Sequence, residues 1–387
     1  MNAQRAYFIH LLASALNGVK PDEKPETVFF EDIYREAVRQ NLISAIFCSV
    51  NKLYRKPDKE LYDKWKTAFL RESLRSERMR SESDKLSHML ADKGIPVMLL
   101  KGCVIQQLYP EPEYRSMCDI DLMFFTDDIL FRGTMEKLGY TLRTHGDCHD
   151  VYVKSHYTRI EAHCRLFTQG SAYSNLFSDI EKRSLHETYN DNLLYMTDED
   201  AYLFLLVHAA KHYQCTGIGL RVLSDVYMTL KAHENTFNKT YLNERLQSVG
   251  LLKFKEKLEC IAKAWFIGND IGLPQAVEDE FFSGSVYGDD DKAGLRATTI
   301  NGHSGRSARC AYYLSVIFIS KQRLKEIYPV LNKHPWLYPL CSIHRWFDRL
   351  SDKKGSVKRI RHNASRINSE TVRIQSKSFE FFGLCED

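Results

Sequence analysis

Apolar positions along the first 95 residues recur at steps of three and four. Phe8, Leu11, Leu12 and Leu16 share one helical face, and Ile33, Ala37, Leu42, Ile46 and Phe47 continue the rhythm. A long charged helix is predicted from Leu61 to Lys93, carrying Leu61, Trp65, Phe69 and Leu74 at steps of four or five. Lys93, Gly94 and Pro96 mark its stop. The period changes after Pro96. Val97–Leu100 is a short, fully apolar run of the kind a buried strand shows, and a helical stretch, Val104–Tyr109, follows Lys101-Gly102. Asp119–Phe125 predicts a second strand, Asp127–Leu138 a helix, and Tyr140–Arg143, Val151–Lys154 and Thr158–Phe167 further strands. Helical spacing returns over Asp200–Tyr213, Arg221–His233, Leu242–Val249, Leu251–Phe266 and Tyr312–Ile327, while Gly268–Arg309 reads as loop. The expected organisation is an N-terminal helical segment over 1–95, a compact α+β block over 96–190, a C-terminal helical domain over 191–350 and a basic tail over 351–387.

Composition narrows the class. With 387 residues, 44% of them hydrophobic and 27% charged, the chain has ordinary globular usage and length enough for a full core. Disorder and low-complexity architectures are excluded for most of it. The net charge of +4 hides an asymmetry. From Ser351 to Lys377 there are eight basic residues (Lys353, Lys354, Lys358, Arg359, Arg361, Arg366, Arg373 and Lys377) against Asp352 and Glu370. The rest of the chain is therefore slightly acidic. That tail suits RNA, an anionic membrane or an acidic partner, or is simply a soluble C-terminal segment; it lacks the aromatic interleaving of a base-stacking surface, so nucleic acid is a minority reading.

No apolar run approaches the ~18 residues of a membrane span. Ala6–Leu16 imitates a leader, with Ala13-Ser14-Ala15 in the place of a cleavage site. His10 interrupts it and Arg5 is its one nearby basic residue, so an amphipathic first helix is the better reading. The ten cysteines include no C-x-x-C pair, which points to reduced thiols and a cytoplasmic location.

The candidate chemistry centres on Asp119-Ile120-Asp121. Side chains at i and i+2 of a strand share a face, so two carboxylates there converge on divalent ions. Glu161 supplies a third acid from another predicted strand, and His163 lies on the same face as Glu161. Three acids around Mg²⁺ (or Mn²⁺) can orient an attacking hydroxyl and stabilise a leaving phosphate. Upstream, Lys101-Gly102-Cys103 ends a strand and opens a helix. The amides there, with Lys101 and Arg115, suit the phosphates of a nucleotide. His208 and His212 stand four apart on a helix, but without the glutamate of H-E-x-x-H or a third ligand in register, zinc is disfavoured. Solvated surface is the default for Lys211 and Arg221. The same holds for a loop at Asp289-Asp290-Asp291, and packing is the default for Cys103.

The segment LLKGCVIQQLYPEPEYRSMCDIDLMF, residues 99–124, resembles a bacterial nucleotidyltransferase family of the DNA polymerase β-like superfamily. The resemblance extends to the Glu161-Ala162-His163 strand, to His208–His212 and to Asp225 on a following helix. This chain carries Lys101-Gly102-Cys103 where the superfamily commonly has Gly-Ser. The resemblance implies a polymerase β-like core, a small mixed sheet with helices, flanked by helical segments. It implies Asp119 and Asp121 as Mg²⁺ ligands, with Glu161 as the third acid.

The expected activity is Mg-dependent transfer of NMP from an NTP, with ATP the first choice, to a hydroxyl of an unknown acceptor. His163, His208, Lys211, His212 and Asp225 are expected on the acceptor side. The alternatives are toxin-like transfer to tRNA or protein, and a non-catalytic helical scaffold. Base, acceptor and oligomeric state are not readable.

Overall fold

The computed structural model describes residues 1–155, 158–268, 271–284, 295–296, 309–310, 312–314, 324, 328, 330–351 and 356–384. The chain divides into two compact units, Met1–Ala210 with Gly219–Leu273, and Lys211–Ile218 with Pro274–Asp387.

In the first unit the predicted helical start resolves into α1 (Ala3–Asn17), α2 (Phe30–Arg39), α3 (Ile43–Val50) and α4 (Lys59–Ala91). The Asp58 side chain accepts the Leu61 amide at 3.0 Å and caps α4. Gly94, at φ 75°, takes the left-handed conformation that closes the helix end. The first half of α4 belongs to the helical bundle: Trp65 is fully buried, and Phe69 and Trp65 both pack on Phe47 of α3. Its second half, through Met79, Leu86 and Leu90, packs on the sheet. One helix thus ties the bundle to the α+β block.

The sheet has seven strands in the order β3-β4-β5-β2-β1-β7-β6. They are β1 (Val97–Leu99), β2 (Ile120–Phe124), β3 (Thr141–His145), β4 (His149–Ser155), β5 (Thr158–His163), β6 (Leu185–Glu187) and β7 (Asn190–Tyr195). β2 runs parallel to β5 and β1 parallel to β7, and the other neighbours are antiparallel. Between the strands lie α5 (Gly102–Gln106) and α6 (Asp128–Lys137), the latter capped by Asp127. On one face Ile120, Leu122 and Phe124 of β2, with Ile160 and Ala162 of β5, form a core with α4 and with Phe131 and Met135 of α6. Strand alternation sends Asp121 and Met123 to the opposite face. The first five strands match the predicted runs. β6 and β7 were not predicted: β7 opens on Asn190-Asp191-Asn192, poor strand formers, and is held by pairing Leu193 and Leu194 with Val97 and Met98. The unit is completed by α7 (Ile180–Arg183), most of α8 (Asp198–Cys215), α9 (Leu220–His233), α10 (Lys239–Gln247) and α11 (Leu252–Ile267).

The second unit departs from expectation in two places. A helix, α12 (Gln275–Ser283), stands where a loop was expected, with Val277, Phe281 and Phe282 buried. The basic tail also contains helices at Ser356–Arg366 and Ser369–Phe382. Asn368 and Thr371 cap the second of these reciprocally, and its Val372, Phe379 and Phe382 are buried. Phe379 and Phe382 pack on Tyr213. The charge of this segment masked an apolar stripe at helical spacing. Asp289-Asp290-Asp291, most of Tyr312–Ile327, Lys353, Lys354 and Cys385 lie outside the described residues. No helix among the described residues is long and apolar enough to cross a membrane.

Candidate active site

β2 lies in the middle of the sheet, and its register with β5 sets the site. Asp121 is the Cα partner of Glu161, and Met123 of His163. Because alternate residues share a face, Asp121, Glu161 and His163 emerge together on the side away from the α4–α6 core. Each offers a ligand atom, and these atoms all lie within 4.8 Å of one another. Ligands sharing one divalent ion at about 2.0–2.6 Å stand roughly 3–5 Å apart, so the trio fits such an ion with little adjustment.

Asp119 precedes β2 by one residue. It is half-buried and feels both Asp121 and Glu161, though it is not one of the three converging groups.

Lys101 reaches the same place from β1. The pairing of Leu99 with Leu122, and the Leu100 amide donating to the Asp121 carbonyl at 2.9 Å, bring the end of β1 beside Asp121. At Lys101 the chain turns sharply into α5 with φ 36°, a left-handed value that costs a non-glycine residue about 1–3 kcal/mol. The turn sets Nζ 3.4 Å from Asp121 Oδ1 and 5.3 Å from the centre of the Phe204 ring on α8. His208, one turn further along α8, lies 5.9 Å from Phe204, so this face of α8 borders the site.

The two aspartates are driven apart electrostatically. Burial raises the Asp121 carboxyl, but the Lys101 ammonium and a hydrogen bond with His163 Nε2 at 3.1 Å outweigh it and hold the group below the usual carboxylate range. Asp119 is pushed up to about 6, by burial first and then by repulsion from Asp121 and Glu161, with Lys101 and Arg221 opposing. Between the ordinary 3.8 and about 6 the folded chain therefore holds a proton that the unfolded chain has lost, so stability falls as pH rises through that window. Asp119→Asn removes the repulsion. In chelator-treated protein it should raise Tm by about 2–6 °C at pH 7.5 and by less at pH 5. Thermal unfolding at the two pH values checks this, and an equal or opposite shift contradicts it.

The remaining sequence-predicted residues divide. Arg115, expected on phosphate, instead lies in a buried ion pair with Asp225 of α9, expected on the acceptor side. Nε donates to Oδ1 at 2.7 Å and Nη2 to Oδ2 at 2.9 Å, and Tyr109 Oη adds a third bond to Oδ1 at 2.7 Å. Both carboxylate oxygens are engaged, so the pair braces α9 against the segment that leads into β2. Arg115 Nη1 also lies 3.4 Å from the Gly102 carbonyl oxygen. Cys103 packs in the sheet core, its thiol pushed up to about 11 by burial, which leaves only its amide for a ligand. Lys211 and His212 group with the second unit.

Two partners of Glu161 complete the picture. Arg159 Nη2 donates to Oε1 at 2.8 Å, and His149 Nε2 lies 4.0 Å from Oε2. His149 was missed. It is the antiparallel partner of His163, with ring centres 4.9 Å apart, and no local pattern announces that pairing.

The model of a family described as uncharacterised nucleotidyltransferase matches residues 27–267, a span that holds the sheet and every residue gathered around Asp121. Among solved structures, an antigenic nucleotidyltransferase-like protein from Paracoccidioides brasiliensis is similar at 16% identity, the match covering 49% of this chain and 94% of that one. Its TM-score is 0.34, a likeness too slight to carry an argument. No curated protein matches the chain.

Proposed function

The chain belongs to the uncharacterised nucleotidyltransferase family, and from that premise we propose that it transfers NMP from an NTP, ATP foremost, to a hydroxyl of an acceptor. The observation that carries the reading is the in-register pair Asp121 and Glu161 on adjacent parallel strands, with Lys101 Nζ 3.4 Å from Asp121. Asp121 and Glu161, with Asp119 one residue before β2, would hold a divalent cation, Mg²⁺ or Mn²⁺. When bound, the cation supplies positive charge to the phosphate oxygens.

The chain's own groups account for the rest. Lys101 turns from Asp121 to the β- and γ-phosphates, and the amides of Gly102 and Cys103 donate to the same oxygens. The acceptor oxygen bonds to the α-phosphorus as the α–β bridging P–O bond breaks, and pyrophosphate leaves with that electron pair. Glu161 takes the hydroxyl proton. Arg115 and Asp225 act as positioning residues that hold the turn after β1.

The test follows a labelled nucleotide, with water standing in for the acceptor. Wild type and Glu161→Gln are incubated with α-labelled NTP and Mg²⁺, and labelled NMP and pyrophosphate are measured. Wild type should form both, and the variant should be slower by about 10²-fold or more. Equal rates, or release of the γ-phosphate in place of pyrophosphate, would overturn the proposal.

A further inference from the structure

We propose that the divalent cation of this site is bound through nitrogen as well as oxygen: His163 is a ligand beside Asp121 and Glu161, and its ring makes the site prefer a first-row transition ion, such as Mn²⁺, to Mg²⁺. The proposal rests on the nucleotidyl-transfer reading and specifies the cation of the same site. The converging trio contains one imidazole, and the strand register that pairs Asp121 with Glu161 delivers His163 to the same face.

His163 is 94% buried, its side chain held where Nε2 lies 3.1 Å from Asp121 Oδ1. Its Nδ1 is also buried and has no hydrogen-bond partner among the described groups. A buried polar atom left unmatched costs about 1–3 kcal/mol, so the polar surroundings of this ring are incomplete in the protein alone. The His149 ring, 4.9 Å away, limits its rotation.

A structural role as hydrogen-bond donor to Asp121 engages Nε2 alone, and that same nitrogen is the one placed to share a cation with Asp121. The chemistry then sets the preference. Mg²⁺ is hard, takes oxygen ligands and gives up its waters reluctantly, whereas imidazole suits the later first-row ions best, which makes Mn²⁺, the weakest of that series, the strictest probe.

The experiment uses the full chain without nucleotide and Mn²⁺ as probe. Mn²⁺ is titrated by electron paramagnetic resonance in a tenfold excess of Mg²⁺, and the bound ion is examined for nitrogen coupling by electron spin-echo modulation. Wild type should retain Mn²⁺ with a ¹⁴N coupling that changes when histidine alone is ¹⁵N-labelled. His163→Gln should lose the coupling and weaken Mn²⁺ by about tenfold or more. His149→Gln should keep the coupling.

Absence of nitrogen coupling in wild type, displacement of Mn²⁺ by Mg²⁺, or coupling lost only in His149→Gln overturns the proposal. The labelled-histidine measurement needs no variant, so misfolding of His163→Gln does not rescue the idea. Nitrogen-coupled Mn²⁺ in a chain that releases no NMP would sink the transfer reading and leave this one standing. Transfer supported by an all-oxygen Mg²⁺ site would do the reverse.

Discussion

Asp121→Asn is expected to lower NMP release at least ~10³-fold while leaving the fold in place. The carboxylate sits at the meeting point of Lys101, His163 and Glu161, on a strand whose other face is locked into the α4–α6 core. Asparagine keeps the shape and one acceptor oxygen, so the sheet register has no steric reason to change. What it removes is the negative charge held below the usual carboxylate range by Lys101 and His163. On the proposed reading a divalent ion then loses its most strongly ionised ligand, and Lys101 loses the carboxylate that lies 3.4 Å from its Nζ. The check is the rate of labelled NMP release alongside Tm. A rate within tenfold of wild type, with Tm unchanged, would remove Asp121 from the machinery.

Arg115→Met is expected to cost about 3–5 kcal/mol of stability, because it strands the buried Asp225 carboxylate. For a unit of this size that corresponds to a fall in Tm of roughly 6–20 °C. Both members are almost fully buried, and removing one leaves a charge without compensation. Removing both is gentler: Arg115→Met combined with Asp225→Leu should recover much of the loss. Recovery should be incomplete, because Tyr109 Oη then loses its acceptor as well. Thermal or denaturant unfolding of the two single variants and the double variant measures the coupling. If Arg115→Met costs less than ~1 kcal/mol, the pair does not brace α9 and the buried-pair account fails. The double variant carries a second message. Should it fold well yet bind NTP poorly, the pair holds the turn after β1 for the ligand as well as for the core.

These two residues show where legibility stopped. Arg115 and Asp225 were both singled out, but as ligand contacts. They stand 110 positions apart, and nothing in either neighbourhood says that they face each other. The same holds for His149, whose nearness to His163 and Glu161 is a matter of antiparallel register between β4 and β5. Phe204 under Lys101 depends on how α8 packs beside the sheet.

By itself the sequence determined what is local. The helical spacing of Leu61, Trp65, Phe69 and Leu74 and the stop at Lys93, Gly94 and Pro96 defined α4, and the apolar run following Asp119-Ile120-Asp121 defined β2, because backbone geometry and solvent exposure act over a few residues. The same locality put Asp119 and Asp121 at the start of one strand and Lys101-Gly102 at a turn. Only the tertiary structure decided which of those groups meet. β7 is a strand because β1 accepts it, despite its polar opening. Asp121, Glu161 and His163 form a cluster because β2 and β5 run parallel in one register. Long-range pairing is selected by the total burial of the sheet, a sum over residues far apart in the chain, and so it leaves no signature in any short stretch of sequence.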